Sequence, residues 1–405
     1  MKTINKIIFV NHFAGIPKLN ERSLRHFIIA KSIKSKIKPI IITSQKNYQS
    51  INDVKYPNNT VVEIEGINYI FIKERSFNKV NLFTKFLRMT SFSLNLFIFF
   101  TFKSKIENVK YIYSSSPDLF SSLAAHVYAK KTGAKHFFEI RDIWPLSQEV
   151  LHGFNSNNLI IRLLRFIELY LYKNSDYILS PLKNLHLYLN EINIDTPFKY
   201  LPQTFFPYDQ KINEKNLINF NLDGFEKIGV YAGSIGSFFG VENIVDFFPN
   251  SLKSNIAILI IGDGDAFDKL EKKVKTLNLK NIFIMNTVTH DKLSYIYKIA
   301  DFAIASYPNK DSLFQFGHCP LKIYDYMYHK LPVIFVGNKY NLDVESNGIF
   351  QVNFNDKESF SNILHKVNLI SKDELKSIGL RNYDIVNSTN SPKNLIKGFN
   401  ELISH

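Results

Sequence analysis

Residues 227–240 read KIGVYAGSIGSFFG, an apolar run followed by a loop that contains three glycines. This stretch decides the fold because it begins a second series of short apolar runs, which continues with NIAILIIGDG, NIFIM, FAIASY and PVIFV. An earlier series comprises IIFV (7–10), PIIIT (39–43), YIYSSS (111–116), HFFEI (136–140) and YILS (177–180). Segments with helical spacing, such as 21–35 and 118–132, lie between the runs. Continuously apolar strands that alternate with helices indicate parallel sheets in an α/β protein.

Two such series predict two Rossmann-like domains, since 405 residues are many for a single core. The stretch KYLPQTFFPYDQ (199–210) has prolines and no periodicity, which is typical of a linker. We therefore place an N-terminal domain at 1–202 and a C-terminal domain at 203–384. Ligands of parallel sheets bind beyond the carboxyl ends of the strands, so this organisation predicts an inter-domain cleft as the functional site.

The composition narrows the partners and the compartment. A single cysteine, Cys319, excludes a disulfide framework and fits a reducing cytoplasm. In the start MKTINKIIFVNHFAG the run IIFV is too short for a signal peptide, so we interpret it as a first strand. The net charge of +14 favours an anionic partner, such as nucleic acid, a membrane surface or a phosphorylated small molecule. The lysines are scattered, which argues against nucleic acid, and genome composition alone could explain part of the excess.

Residues 79–105, KVNLFTKFLRMTSFSLNLFIFFTFKSK, do not fit the alternation. Their apolar residues have nearly helical spacing, and the longest apolar run, LFIFF, is too short to span a bilayer. A basic amphipathic helix with aromatic residues suits an anionic membrane surface, whereas a core helix against the sheet is the alternative. Its apolar residues are Leu82, Phe83, Phe86, Leu87, Leu94, Phe97 and Ile98, and its basic residues are Lys79, Lys85, Arg88, Lys103 and Lys105.

Glycine-rich loops follow three of the strands. Gly15 in NHFAG would let a ligand approach the backbone before a helix start, although His12 beside it is more often structural. The glycines of VYAGSIGSFFG could present amides to a pyrophosphate, but the loop is neither GxGxxG nor a Walker motif. In IGDGD, Asp263 and Asp265 resemble a metal-binding DxD, yet capping of a turn explains them more simply.

Two further stretches place charged side chains after strands. In FGHCPLKIYDYMYHKLPVIFV (316–336) a helix should begin near Pro320 and carry Lys322 and Asp325. A lysine can neutralise a leaving diphosphate, and a carboxylate can accept both hydroxyls of a ribose, while a surface ion pair is the alternative. In HFFEIRDIWP (136–145) the strand ends in Arg141 and Asp142.

Six motifs follow one another along the chain: NHFAG, SSSPDLF, EIRDIWP, YAGSIG, IGDG and FGHCPLKIYDYM…LPVI. Together they resemble those of the family 4 retaining glycosyltransferases with the GT-B fold. Within that family they are similar to the branch that contains bacterial N-acetylfucosamine transferases of O-antigen and capsule assembly. The resemblance covers nearly the whole chain. It implies a nucleotide-sugar donor, usually UDP-linked, on the C-terminal half, an acceptor on the N-terminal half, and no metal or other cofactor. A final helix, here 385–405, is expected to return to the first domain.

The resemblance also implies roles for individual residues. The expected catalytic residues are Arg141, Asp142 and Lys322. The expected nucleotide-sugar site comprises Gly15, Gly233, Ser234, Gly236, Gly262, Gly264, Thr287, Val288, Lys322 and Asp325. The expected acceptor-side residues are His12, Arg25 and Glu149.

The chain departs from the family pattern at several of these positions. Gly317 replaces the first of two carboxylates, so Asp325 alone is left for the ribose. Ser234 and Phe239 replace an arginine and a lysine, which leaves Lys322, loop amides and Arg141 to hold the diphosphate. Arg141 also stands where many relatives have a histidine.

We therefore expect same-face transfer of an N-acetylated or deoxy sugar from UDP to a polyprenyl-diphosphate-linked glycan. The enzyme would be peripheral on the inner face of a bacterial cytoplasmic membrane. Two alternatives stay open: a non-catalytic GT-B partner protein, suggested by the missing cations, and a UDP-sugar 2-epimerase.

Overall fold

A computed structural model describes residues 4–17, 24–45, 56–77, 82–205 and 220–404. The chain divides into two compact units, residues 1–206 with 392–405 (unit 1) and residues 207–391 (unit 2). In the described part of the chain, no helix has the length and apolar character needed to cross a membrane.

Within its described residues, unit 1 is built on an eight-stranded sheet in the order β3-β4-β2-β1-β5-β6-β7-β8. Only β3 runs antiparallel to its neighbour β4, and the other pairs are parallel. The β3–β4 edge hairpin was not predicted from the sequence. The strands are β1 Lys6–Val10, β2 Lys38–Ser44, β3 Val61–Ile64, β4 Ile67–Ile72, β5 Val109–Ser115, β6 Lys135–Glu139, β7 Tyr177–Ser180 and β8 Phe198–Tyr200.

Helices follow the strands of unit 1 as the alternation predicts. They are α1 Arg25–Ile33, α2 Leu82–Ile98, α3 Leu119–Thr132, α4 Leu146–His152, α5 Leu159–Asn174 and α6 Leu185–Glu191, and α2 continues into a π-helical turn, Phe99–Lys103. Local chemistry sets the bounds of α3, because the carboxylate of Asp118 accepts the N–H groups of Phe120 and Ser121, and Gly133 ends the helix with φ +69°. Residues 21–23 of the helix predicted at 21–35 lie outside the described residues.

The described part of unit 2, from residue 220 onward, contains six parallel strands in the order β11-β10-β9-β12-β13-β14. The strands are β9 Lys227–Ala232, β10 Ile256–Ile261, β11 Ile282–Met285, β12 Phe302–Ser306, β13 Val333–Val336 and β14 Ile349–Val352. The helices are α7 Glu242–Asp246, α8 Phe267–Thr276, α9 His290–Ile299, α10 Asp311–Phe314, α11 Leu321–Tyr328, α12 Lys357–Leu369 and α13 Lys372–Thr389. The strand order reverses beside β9, so the loops after β9, β10 and β12 lie at the position where such sheets bind ligands.

The C-terminal segment differs from the single helix expected at 385–405. Helix α13 extends to Thr389, and a separate helix α14 spans Pro392–Ile403. Pro392 lacks the N–H that would continue α13, but it suits the first position of a new helix. Leu395, Phe399 and Leu402 are buried in the core of unit 1 together with α1. The boundaries between the units thus fall at 206/207 and 391/392, rather than at 202/203 and 384/385.

Candidate functional site

The loops after β9 and β10 form one layer of closely packed backbone. A Cβ on Gly262 would lie 1.8 Å from the carbonyl oxygen of Gly233, so no other residue fits without moving the loop. The N–H of Ile235 donates to the carbonyl of Asp263 at 2.9 Å, and the N–H of Ala266 donates back to Ile235 at 3.0 Å. The loops that contain the two glycine motifs are therefore packed against each other and hydrogen-bonded together.

Lys322 on α11 points its ammonium group into an aromatic cage beside this layer. Its Nζ donates to the Tyr231 hydroxyl at 3.1 Å. Nζ also lies 4.5, 5.2 and 5.0 Å from the ring centroids of Tyr231, Phe239 and Tyr307. A Cβ on Gly233 would be 2.9 Å from Nζ, which places the ammonium directly against the loop. Among the described residues Lys322 makes no ion pair, so the alternative of a surface pair with Asp325 is not what the structure shows.

The cage changes the acid–base properties of the lysine. Burial lowers the pKa of Lys322 from 10.5 to about 7. Burial, and next to it the charge of Lys322, also lowers the pKa of His318 to about 3, so this histidine is neutral at pH 7. An anion that reaches the cage would favour the charged lysine, because opposite charge raises the pKa of an ammonium group.

The other predicted donor residues lie on the same edge of the unit 2 sheet. Asp325 is half-buried one turn beyond Lys322 on α11, while Thr287 is exposed and Val288 half-buried after β11. Ser234 is exposed, and its carbonyl accepts the Tyr231 hydroxyl at 2.7 Å. Gly236 and Gly264 lie within the packed loop layer.

Asp265 and Asp263 have structural contacts within these loops. The Asp265 carboxylate accepts the N–H of Ser237 at 3.1 Å and its hydroxyl at 2.8 Å. Asp263 accepts the N–H of Gly264 at 2.8 Å. In the described parts of both units, no group of three or more His, Cys, Asp or Glu residues is placed to hold a metal ion.

In unit 1, Ser116 fixes the loop that carries Arg141 and Asp142. Its hydroxyl oxygen accepts the backbone N–H of Arg141 at 2.9 Å and that of Asp142 at 3.2 Å, and it donates to the Asp142 carbonyl at 3.1 Å. Arg141 is half-buried and Asp142 is exposed. The SSSPDLF and EIRDIWP motifs are thus parts of one structure at the carboxyl ends of β5 and β6.

Glu139 and Arg25 form a buried ion pair, which corrects the acceptor-side role expected for Arg25. Arg25 is 1% exposed, and its Nε donates to Glu139 at 2.6 Å. Its other nitrogens donate to the carbonyl oxygens of Pro202 and Leu201 at 2.6 and 2.9 Å. All three guanidinium nitrogens therefore donate hydrogen bonds inside unit 1, and these bonds connect α1 to β6 and to the chain after β8.

His12 is also buried within unit 1, at 2% exposure, which does not fit direct contact with an acceptor. Its Nε2 pairs with Glu74, which also pairs with Arg88 of α2, and its ring stacks on Phe92 with centroids 4.4 Å apart. Arg88 is 6% exposed, so its expected position on a basic outer face is wrong. The spacing of α2 could not reveal this, because the partner Glu74 lies on another part of the chain.

The two remaining N-terminal candidates have internal contacts as well. Gly15 is buried, and its carbonyl accepts the Tyr69 hydroxyl at 3.3 Å. Glu149 is partly buried and lies 3.3 Å from Arg165, which also pairs with Glu168 at 2.7 Å. Burial raises the pKa of Glu168 to about 7, despite the charge of Arg165.

The segment predicted at 79–105 has a buried side and an exposed apolar side, so the core-helix alternative holds for one side of it. One face of α2 and its π-helical turn is buried against the sheet, with Phe92, Leu96, Phe99 and Phe100. Leu94, Phe97, Ile98 and Phe102 are exposed by 61, 44, 43 and 80%. Lys85, Lys103 and Lys105 are exposed, and Lys79 lies outside the described residues.

Sequence reasoning missed Tyr231, Tyr307 and Ser116 as site residues. The available signal was their position, since each lies at the carboxyl end of a strand or just after it. Aromatic residues there look like ordinary core residues until the direction of Lys322 is known.

Comparisons with known proteins show similarity in sequence over part of the chain and in fold over nearly all of it. Residues 213–382 match the family model described as Glycosyl transferases group 1. Curated proteins give no match. Among solved structures, HepE of Anabaena in complex with UDP and glucose is similar at 12% identity, with 99% of both chains covered and a TM-score of 0.64.

Two lipopolysaccharide enzymes are similar as well. WaaG, a glycosyltransferase involved in lipopolysaccharide biosynthesis, has 12% identity over 98% of this chain and 99% of its own, with a TM-score of 0.63. The outer core galactosyltransferase WaaB has 14% identity over 98% and 99%, with a TM-score of 0.55. The fold is thus the GT-B fold, and with the group 1 match across unit 2 the protein is a glycosyltransferase.

Proposed function

We propose that the protein is a retaining, metal-independent glycosyltransferase of family 4, in the N-acetylfucosamine transferase-like branch. It moves an N-acetylated or deoxy sugar from UDP to a polyprenyl-diphosphate-linked glycan in the synthesis of a bacterial surface polysaccharide. One observation carries the proposal: the Lys322 ammonium faces the packed glycine loops in an aromatic cage, without an ion pair among the described residues. A diphosphate supplies the charge that this arrangement lacks.

The proposed chemistry depends on stabilising the leaving UDP. As the bond to the sugar breaks, negative charge develops on the diphosphate, where Lys322 and loop amides stabilise it. The acceptor hydroxyl attacks the same face, and its proton passes to the leaving phosphate oxygen. A positively charged lysine replaces the metal ion in this scheme. Arg141 and Asp142 are proposed to orient the sugar or the acceptor from unit 1.

The comparisons support the donor and the pathway without deciding either. HepE was solved with UDP and with UDP-glucose, and WaaG and WaaB take part in lipopolysaccharide synthesis. We propose the inner face of the cytoplasmic membrane as the location. The exposed apolar residues of 79–105, with Lys85, Lys103 and Lys105, would contact the anionic surface there.

A binding and turnover assay tests this function. Calorimetry with UDP and GDP should show preferential binding of UDP, and a panel of UDP-sugars with lipid-linked acceptors should give product with the anomeric configuration retained. Conversion of UDP-N-acetylglucosamine without any acceptor would identify a 2-epimerase instead. Failure to bind any nucleotide sugar would identify a non-catalytic partner protein.

Replacing Asp325 with alanine should weaken UDP binding by about tenfold, since a charge-assisted hydrogen bond to the ribose contributes about 1.5–3 kcal/mol at most. Isothermal calorimetry measures the change. Asp373→Ala on α13 is the matched control, because that carboxylate is 98% exposed, and it should bind like the parent protein. Unchanged UDP affinity in Asp325→Ala would refute the ribose assignment.

A further inference from the structure

Helix α5 of unit 1 exposes an apolar stripe. Leu159, Leu163, Phe166 and Tyr170 recur at spacings of four, three and four residues, and they are exposed by 79, 49, 68 and 39%. These spacings place the four side chains on one face of the helix. The opposite side of α5 is buried, with Ile161, Leu164, Ile167 and Leu171. A helix that is apolar on its outer as well as its inner side indicates that the outer side meets an apolar partner.

Neighbouring elements add further exposed apolar side chains beside this stripe. The rings of Tyr170 and His126 lie 5.5 Å apart, which brings α5 against α3, where Val127 is 43% exposed. The Lys131 ammonium on α3 donates to the carbonyl of Thr101 at 3.3 Å, next to Phe102. We define the α5 surface as Leu159, Ile160, Leu163, Phe166, Tyr170, Val127 and Phe102.

The exposed charged residues on the elements that form the α5 surface are all positive. Exposed basic residues border it on α3, on α5 and on the π-helical turn, namely Lys130, Lys131, Arg162, Lys173 and Lys103. The only carboxylate of α5, Glu168, is buried and bound by Arg165 and Tyr188. The sequence of α3, LFSSLAAHVYAKKT, contains no acidic residue. An apolar centre with a basic border is complementary to an anionic lipid surface.

We propose that the α5 surface docks the protein on an anionic lipid bilayer. A second copy of the chain is the weaker occupant, because pairing this face with itself would bring two basic borders together in a protein of net charge +14. The inference deepens the proposed function, and it rests on that function only because a lipid-linked acceptor gives the docking its purpose. It adds a helix that the sequence did not single out to the proposed contact at 79–105.

Vesicle flotation of the full chain tests the docking. Vesicles of phosphatidylcholine with phosphatidylglycerol should carry the protein, and vesicles of phosphatidylcholine alone should carry much less. The double variant Leu163→Ser, Phe166→Ser should bind at least about tenfold more weakly, because two large apolar side chains no longer leave water. Both side chains are exposed, so the variant should melt like the parent protein.

Leu277→Ser, Leu369→Ser is the matched control, because these leucines are 52 and 86% exposed on unit 2, and it should float like the parent protein. The charge variant Lys130→Glu, Lys131→Glu should bind anionic vesicles more weakly than the parent protein, and its binding should change less with salt concentration.

Three results would overturn the docking proposal. The first is a parent protein that does not float with anionic vesicles, and the second is a Leu163→Ser, Phe166→Ser variant that floats like the parent. The third is a parent that sediments as a dimer while that variant is a monomer, since a second copy would then cover the α5 surface. Calorimetry of UDP binding tests the proposed site on unit 2 independently of vesicle binding by unit 1. Loss of vesicle binding with normal UDP binding is therefore distinct from failure of the proposed function.

Discussion

Replacing Lys322 with methionine should reduce kcat/KM for sugar transfer by about 10²–10³-fold, the usual effect of losing one group that stabilises developing negative charge. Methionine keeps most of the length of the side chain but has no charge for the diphosphate. Initial rates with a UDP-sugar and a lipid-linked acceptor measure the change. Lys366→Met is the control, because this exposed lysine also lies over an aromatic ring, Phe350, at 5.5 Å. The control should retain parental kcat/KM.

The Lys322→Met variant should be as stable as the parent protein, or more stable. In the folded protein the pKa of Lys322 is about 7, below its usual value of 10.5. Between these pH values the unfolded chain binds more protons, so the lysine lowers stability at pH 7 and its contribution improves as pH rises. Methionine removes this penalty. A clear fall in Tm would show that the cage depends on the ammonium group, and the rate loss could then not be assigned to chemistry.

The affinity for UDP should fall as pH rises from about 7 towards 9, because the free lysine loses its proton over this range. Arginine at this position stays charged, so Lys322→Arg should bind UDP with a flatter pH profile even if its absolute affinity is lower. Calorimetry at several pH values separates the two proteins. Parallel profiles would exclude Lys322 as the titrating group.

Replacing Arg25 with methionine should lower the free energy of unfolding of unit 1 by about 3–5 kcal/mol. The change leaves the Glu139 carboxylate buried without its main partner, and it frees the carbonyl groups of Leu201 and Pro202. Urea unfolding followed by tryptophan fluorescence measures it, because Trp144 is the chain's single tryptophan and lies in unit 1.

Two further variants check the origin of this loss. Arg25→Met, Glu139→Gln should regain part of the stability, because the unpaired charge is gone. Lys199→Met is the control, since it breaks the partly exposed pair between Lys199 and Glu401 in the same unit and should cost at most about 1 kcal/mol. Equal losses for Arg25→Met and Lys199→Met would contradict a buried, uncompensated charge.

The pH dependence of this pair has a definite sign. Burial raises the pKa of Glu139, but the charges of Arg25, His26 and Arg141 outweigh burial and lower it to about 2. The usual value is 4.5, so the stabilisation is fully present above that pH and is lost as pH falls towards 2.

Much of the loop region around Lys322 could be predicted from the sequence because it depends on local order. Strands were recognisable by their continuous apolar runs, and the glycine loops follow those strands directly. Lys322 and Asp325 were found because Pro320 marks the start of their helix. The nature of their neighbours could not be predicted, since Tyr231 and Tyr307 reach the cage from two different strands.

The N-terminal candidates were harder to predict. Arg25 and Arg88 resemble exposed basic residues on helices until their carboxylate partners are known. Glu139 is 114 residues from Arg25 along the chain, and strand order alone brings them together. The outer stripe of α5 was hidden because an apolar residue has the same appearance in a sequence whether it faces the core or water.

By itself, the sequence determined the alternation of strands and helices, the two Rossmann-like halves and the loops that carry the glycines and Lys322. These features depend on periodicity and on residues close together in the chain. Tertiary structure alone decided which charges are buried in pairs, which side of α5 is exposed, and that the segment returning to unit 1 begins at Pro392 rather than at residue 385. Those outcomes depend on contacts between distant segments, which form only when the sheet order is set.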